Sequence, residues 1–393
     1  MNVIDPLSPL SFLQQRLTYM EQNPSSQWTN LLDNVPVWPS GVPKTESLSS
    51  ESCRKLRSHY ADCAGDLELR EHIATKETEK FEGDLSAENV QITNGALHAI
   101  SLVLQAHRKQ CDTLVCQTPV FRGVTQCARA LGYRVKLLPN GRSGEPSVLL
   151  ALAQMNERTL LYLNSPNNPT GYTLSESEVA PLVKRAQEVK TCVLLDAVYD
   201  DFQYEAIPSY TLDLENLYVF GSMSKAYGCP GLRVGWVVGA RERIKPLAAR
   251  LETQCVSVNS EAQAIALCML QRGNEELRSH CAAMRQYLKS TLPNIPQLLY
   301  QVPQAGLQFY AWLAVHDIEE TADYLLTRNL TAFTTSENYE GSPGPYIRIP
   351  LGLPLETLQN GILALSDFFS SSASGHLRIE RRKNEEVFHA FAS

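Results

Sequence analysis

From about residue 50 onward the chain alternates short, mostly apolar runs with stretches of helical pattern, without an internal repeat. The runs lie at 90–93, 113–116, 134–138, 159–163, 192–195, 217–220 and 234–239. Helical patterns fall near 66–79, 95–109, 121–131, 175–189 and 240–251. Most of the runs are apolar at nearly every position, which suits strands covered on both faces. Strands joined by helical crossovers run parallel. The pattern predicts an α/β fold, with a large domain on a mostly parallel seven-stranded sheet. Ligands of such sheets gather beyond the carboxyl ends of the strands. After about residue 285 the spacing changes. Strands are expected at 308–313 and 346–349 and helices at 317–329 and 354–370, a smaller α+β domain. The expected organisation has four parts. Residues 1–49 form a helix (about 9–22) and a Pro-rich arm belonging to the small domain. Residues 50–285 form the large domain, 286–370 the small domain, and 371–393 a polar tail, disordered or loosely docked.

The chain has 393 residues and a formal net charge of −7, from 42 acidic and 35 basic side chains. That balance argues against a broad nucleic-acid surface. Ten cysteines are scattered without a CxxC pair or zinc-like spacing. Several sit inside apolar runs, as buried reduced thiols of a cytoplasmic protein would. No secretory signal is read at the N-terminus, and no window reaches the roughly 20 apolar residues of a membrane helix.

The stretch Gly221-Ser-Met-Ser-Lys-Ala-Tyr-Gly-Cys-Pro-Gly-Leu-Arg-Val-Gly-Trp236 follows an apolar run. Ser222 and Ser224 precede Lys225, and Arg233 follows it. Two hydroxyls and an arginine can hold a phosphate dianion. A lysine beside such a site can form a Schiff base with an aldehyde. Aldehyde and phosphate in one ligand describe pyridoxal 5′-phosphate, although a surface loop with a solvated lysine would read the same in isolation. The cofactor's other needs are a carboxylate for its pyridine nitrogen, a donor to its phenolic oxygen and an apolar wall. Asp196 ends the run 192–195, where a buried acid is costly unless it meets a cation; a turn cap is the other reading. Tyr199 follows three residues later, within reach of the phenolic oxygen. Asn164-Ser-Pro-Asn-Asn-Pro-Thr-Gly171 makes a rigid turn, and Asn168 could donate to that oxygen. Gly95 and Ala96 open a helix whose N–H groups could bind phosphate. Phe121 could stack on the ring or belong to the core.

Taken jointly, the segments 164–171, 196–199 and 222–233 resemble those of class I/II aminotransferases of the aspartate aminotransferase superfamily, fold type I. The resemblance spans about residues 28–368. It implies a homodimer and a pyridoxal-phosphate enzyme acting on the α-amino group of an amino acid to give a 2-oxo acid. By resemblance Lys225 is the Schiff-base lysine and proton shuttle. Gly95, Ala96, Ser222, Ser224 and Arg233 hold phosphate, and Asp196 pairs the pyridinium. Asn168 and Tyr199 contact the phenolic oxygen, and Phe121 stacks. Tyr60 matches a tyrosine that reaches the neighbouring subunit's phosphate, and Arg348 one that clamps the substrate α-carboxylate. Asn34, on an arm spanning 30–36, joins Arg348 and Asn168 at the substrate. The arm lacks the family's usual glycines, and Thr334-Thr-Ser-Glu-Asn-Tyr339 stands where a Pro-Gly turn is common. A pocket of Asp33, Glu337 and Tyr339 would suit a cationic or polar substrate better than a dicarboxylate, but the reading as solvated surface acids comes ahead of it. The segment 222–236 is also similar to that of capreomycidine-synthase-type enzymes, so elimination, cyclisation or oxidation stays open. A pyridoxal-phosphate-sensing regulator is disfavoured, because the ~50 residues ahead of the fold do not read as a basic DNA-binding domain.

Overall fold

The computed structural model describes residues 11–24, 27–43, 58–81, 84–139, 147–204, 212–342 and 344–372. The expected tail lies almost wholly outside them. In chain order the strands are β1 (Thr29–Leu31), β2 (Val90–Thr93), β3 (Thr113–Gln117), β4 (Val120–Phe121), β5 (Arg134–Leu138), β6 (Thr159–Asn164) and β7 (Cys192–Asp196). There follow β8 (Leu217–Ser222), β9 (Gly235–Val238), β10 (Leu298–Tyr300), β11 (Gln308–Leu313), β12 (Thr331–Thr335), β13 (Tyr339–Glu340) and β14 (Tyr346–Pro350).

The large sheet has seven strands in the order β2-β9-β8-β7-β6-β3-β5. Its pairings are parallel except those of β9, which runs against both neighbours. Every residue of β3, β6, β7 and β8 is buried, as runs covered on both faces must be. The run containing Arg134 and Lys136 became the edge strand β5, and both of those side chains are exposed. Helices Ala96–His107, Arg122–Ala130, Glu176–Glu188 and Arg241–Cys255 fall within a few residues of expectation. Helix Ala96–His107 packs against β8 and β9.

The second sheet has five strands in the order β1-β12-β14-β11-β10. Only β1 and β12 pair in parallel there. None of β1, β10 and the five-residue β12 was expected, and β1 and β10 are the shortest of the sheet. Three residues are too few to show a period, and they become strands only by pairing. Helices Val148–Gln154, Ser260–Arg272 and Glu275–Thr291 were also not anticipated. A small antiparallel ribbon pairs β4 with β13, placing Phe121 opposite Tyr339. It joins the segment after β3 to the segment after β12 and closes one wall of the cavity described next.

Among the described residues no helix is long and apolar enough to cross a membrane, and none of the nine described cysteines is bridged.

Candidate active site

Residues that follow β2, β3, β6, β7 and β8 converge at one end of the large sheet and face Arg348 of the second sheet. They enclose a cavity of about 330 Å³. Eleven of the thirteen candidate residues line it: Asn34, Ala96, Phe121, Asn168, Asp196, Tyr199, Ser222, Ser224, Lys225, Arg233 and Arg348. Gly95 stands beside Arg233 at its edge. Tyr60 is 86% exposed and does not line its own chain's cavity.

At one end, the Ser222 hydroxyl caps the four-residue helix Met223–Ala226 by accepting from the Ser224 N–H at 3.1 Å. Arg233 adopts a left-handed backbone (φ +53°) at the end of a tight turn. Its guanidinium donates to the carbonyls of Pro230 (3.0 Å) and Asn94 (3.2 Å). Gly95, also at positive φ (+85°), caps helix Ala96–His107, and a Cβ there would lie 2.4 Å from Arg233 Nη2. The first N–H groups of that helix have no partners within it. Gly95→Ala is therefore expected to push Arg233 aside and to strain the backbone by about 1–2 kcal/mol. A lowered Tm together with weaker cofactor affinity checks this; unchanged affinity would separate Gly95 from the phosphate end.

At the centre, Asp196 is buried. Tyr162 donates to its Oδ2 at 2.6 Å and the Val198 N–H to its Oδ1 at 3.3 Å. Burial nevertheless raises its carboxyl to about 6. The pairing of β6 with β7 sets Asn164 beside Asp196, and the Asn164 amide donates to the Asp196 carbonyl at 2.8 Å. The Lys225 ammonium donates to the Asn34 carbonyl at 3.0 Å. Burial first, then the charge of Arg348, lowers Lys225 to about 8.

At the far end, Arg348 is buried in β14, in register with Tyr310 and Thr334 on the flanking strands. Its Nη1 donates to the Tyr339 hydroxyl at 2.8 Å, and that hydroxyl donates to Asn168 Oδ1 at 3.0 Å. Asn168 Oδ1 is thereby committed, which leaves the amide nitrogen as its donor. Arg348 Nη2 donates to the Leu32 carbonyl and to Thr334 Oγ1. Arg348 Nε has no partner among the described residues.

Three contributors were not read from the sequence: Tyr162, Thr334 and the Tyr339 bridge. For Tyr162 the signal was present, since it lies two residues before Asn164 and so on the same face of β6. The expected grouping of Asp33, Glu337 and Tyr339 needs correction. Asp33 and Tyr339 line the cavity, but Glu337 lines a neighbouring groove and approaches Arg122 there. Within the turn Ser336–Asn338, Asn338 lines the cavity while Glu337 lines the groove.

Residues 36–365 match the family described as aminotransferase class I and II. The chain belongs to that family. It is an enzyme, a pyridoxal-phosphate-dependent aminotransferase that acts on the α-amino group of an amino acid and yields a 2-oxo acid. It is 34% identical over 382 residues to an L-aspartate:5-guanidino-3-methyl-2-oxopentanoate transaminase of Pseudomonas syringae pv. syringae, covering 93% of this chain and 97% of that one. It is 32% identical to the 3-methylarginine biosynthesis aminotransferase ArgM of Streptomyces arginensis, covering 91% and 96%. In fold the aminotransferase is similar to an aspartate aminotransferase of Thermotoga maritima, with a TM-score of 0.83 at 21% identity over 93% of this chain and 98% of that one.

Proposed function

We propose that this aminotransferase exchanges an amino group between an amino-acid donor and a guanidino-bearing 2-oxo acid, in a cytoplasmic homodimer whose sites are each completed by two chains. The observation that carries the catalytic part is Lys225, a buried lysine sharing one cavity with Asp196 and Arg348. The substrate class is supported by the two relatives above 30% identity, one a 5-guanidino-3-methyl-2-oxopentanoate transaminase and the other a 3-methylarginine biosynthesis aminotransferase. The free thiols suit a reducing compartment.

The residues fit pyridoxal 5′-phosphate. Ser222, Ser224, Arg233 and the N–H groups after Gly95 would hold the phosphate, in a cradle that a Cβ at position 95 would fill. Asp196 would face the pyridine nitrogen. Asn168, through its free amide nitrogen, and Tyr199 would meet the phenolic oxygen, and Phe121 would cover the ring. When bound, the cofactor supplies an electron sink for the bond cleaved at the substrate Cα. Arg348 and Asn34 orient the substrate. A carboxylate accepting from Arg348 would satisfy its unpaired buried Nε, which is otherwise costly. Lys225 Nζ removes the Cα proton and returns it when the exchange reverses.

Lys225 near 8 makes this chemistry pH-dependent in a set direction. Only the uncharged amine attacks an aldehyde. Borohydride-trappable uptake of pyridoxal phosphate by the cofactor-free protein should rise about tenfold per pH unit below about 8 and level off above it. A rate that keeps rising about tenfold per unit through pH 9, as a lysine at its ordinary 10.5 would give, would show that burial does not tune Lys225.

The exposure of Tyr60 supports a shared site. Chains carrying Tyr60→Ala and chains carrying Lys225→Ala, each strongly impaired alone, should recover activity when mixed, because one hybrid site keeps both residues. A fully active monomer by light scattering would refute the shared site. A capreomycidine synthase of Streptomyces vinaceus, 25% identical over 304 residues, keeps a second chemistry in view. Stoichiometric consumption of an amino acceptor selects transamination; product without acceptor consumption selects the alternative.

A further inference from the structure

We infer that Asp33 is the residue that reads the distal cation of the substrate, binding a guanidinium at the mouth of the cavity. The inference rests on the proposed reading of Lys225 and Arg348 and deepens it. Beyond β1 the chain places Leu32 and Asn34 in the interior and Asp33 on the exposed side. Both carbonyls that flank Asp33 are committed. The Leu32 carbonyl accepts from Arg348 Nη2 and from Thr334 Oγ1, the latter at 2.9 Å. The Asn34 carbonyl accepts from Lys225 at 3.0 Å. The Asn34 amide is further anchored on Gln308 at 2.6 Å. Asp33 is therefore held on a pinned backbone between the arginine assigned to the α-carboxylate and the lysine assigned to Cα.

Among the described residues two carboxylates line the cavity, Asp33 and Asp196. Asp196 is buried and satisfied by Tyr162 and the Val198 N–H. Asp33 is exposed; among the described residues its carboxylate makes no hydrogen bond or close ion pair, although its charge acts on Lys225. Among the described residues the cations lining the cavity are Lys225, Arg233 and Arg348, and the proposed chemistry occupies all three. Within one chain, a second carboxylate on the substrate would meet Asp33 and no unassigned cation. A guanidinium would meet an open, fixed carboxylate suited to its paired donors.

The test compares kcat/KM for L-arginine and L-norvaline, which differ in the distal cation, in the wild-type holoenzyme and in Asp33→Asn. The preference for L-arginine should fall about tenfold or more in Asp33→Asn, the loss expected for one charge-assisted pair. Asp33→Glu keeps the charge and should retain most of that preference. A preference changed by less than about twofold in Asp33→Asn overturns the inference while leaving the reading of Lys225 and Arg348 intact. A wild-type enzyme that turns over L-norvaline but refuses L-arginine overturns the guanidino reading and this inference together. A second measurement needs no variant. 5-Guanidinopentanoate, which lacks the reacting amine, should inhibit the wild-type holoenzyme about tenfold more tightly than pentanoate; equal inhibition overturns the inference.

Discussion

Replacing Lys225 with alanine should leave the cofactor bound but not covalently attached, and should lower turnover by about 10⁴-fold or more. The phosphate end is built without Lys225. Ser222, Ser224, Arg233 and Gly95 hold one another through the Ser222 cap and the Arg233–Asn94 bond, so affinity for cofactor should survive the change. The chemistry should not survive, because among the described residues no other lysine lines the cavity. Mass spectrometry after borohydride reduction checks the first part, with the adduct mapping to Lys225 in the wild type and absent in the variant. Steady-state assays check the second. Near-normal turnover, or an adduct on another lysine, would end the assignment.

The second large effect is at Asp196. Asp196→Asn is nearly isosteric and can still receive the Tyr162 hydroxyl, so folding should be little disturbed. A neutral amide cannot hold a proton on a facing pyridine nitrogen, and a preorganised electrostatic partner in a dry site is worth about 10²- to 10³-fold in rate. Turnover at saturating substrate should fall by that order while Tm moves little. A rate within a few-fold of wild type would make Asp196 a turn residue.

The pH behaviour of cofactor-free protein bears on the same carboxyl. Burial raises Asp196 to about 6 from its ordinary 3.8, so the folded state holds its proton more tightly than the unfolded state does. Its contribution to stability is full below 3.8 and is lost as pH rises through about 6. A cation facing the carboxylate, as a protonated pyridine nitrogen would, opposes that loss.

Much of this enzyme was legible before folding was considered. The apolar runs that became β6, β7 and β8 were located almost to the residue, because burial on both faces demands apolar side chains at every position. Ser222 and Lys225 were read from their grouping with Ser224 and Arg233, and Asp196, at the end of β7, for a reason related to burial. A polar or charged group at the end of a buried run is costly unless something meets it. Arg233 and Gly95 were also legible, but the reason for the glycine came only with the 2.4 Å approach of the Arg233 guanidinium.

What the tertiary structure alone decided is how the second sheet meets the first. Arg348 is bridged to Asn168 through Tyr339, three residues from three separate segments. Lys225 rests on the carbonyl of Asn34, 191 positions away in the chain. Glu337 and Tyr339 are two residues apart, yet only Tyr339 lines the cavity. Periodicity reports which face of an element is buried, because that is a local property of side chains. It does not report which other face covers it. The ribbon of β4 and β13, the short strand β1 and the pinned backbone on either side of Asp33 exist only through pairing across long separations in the chain, and that pairing is the part of the site that no local pattern encodes.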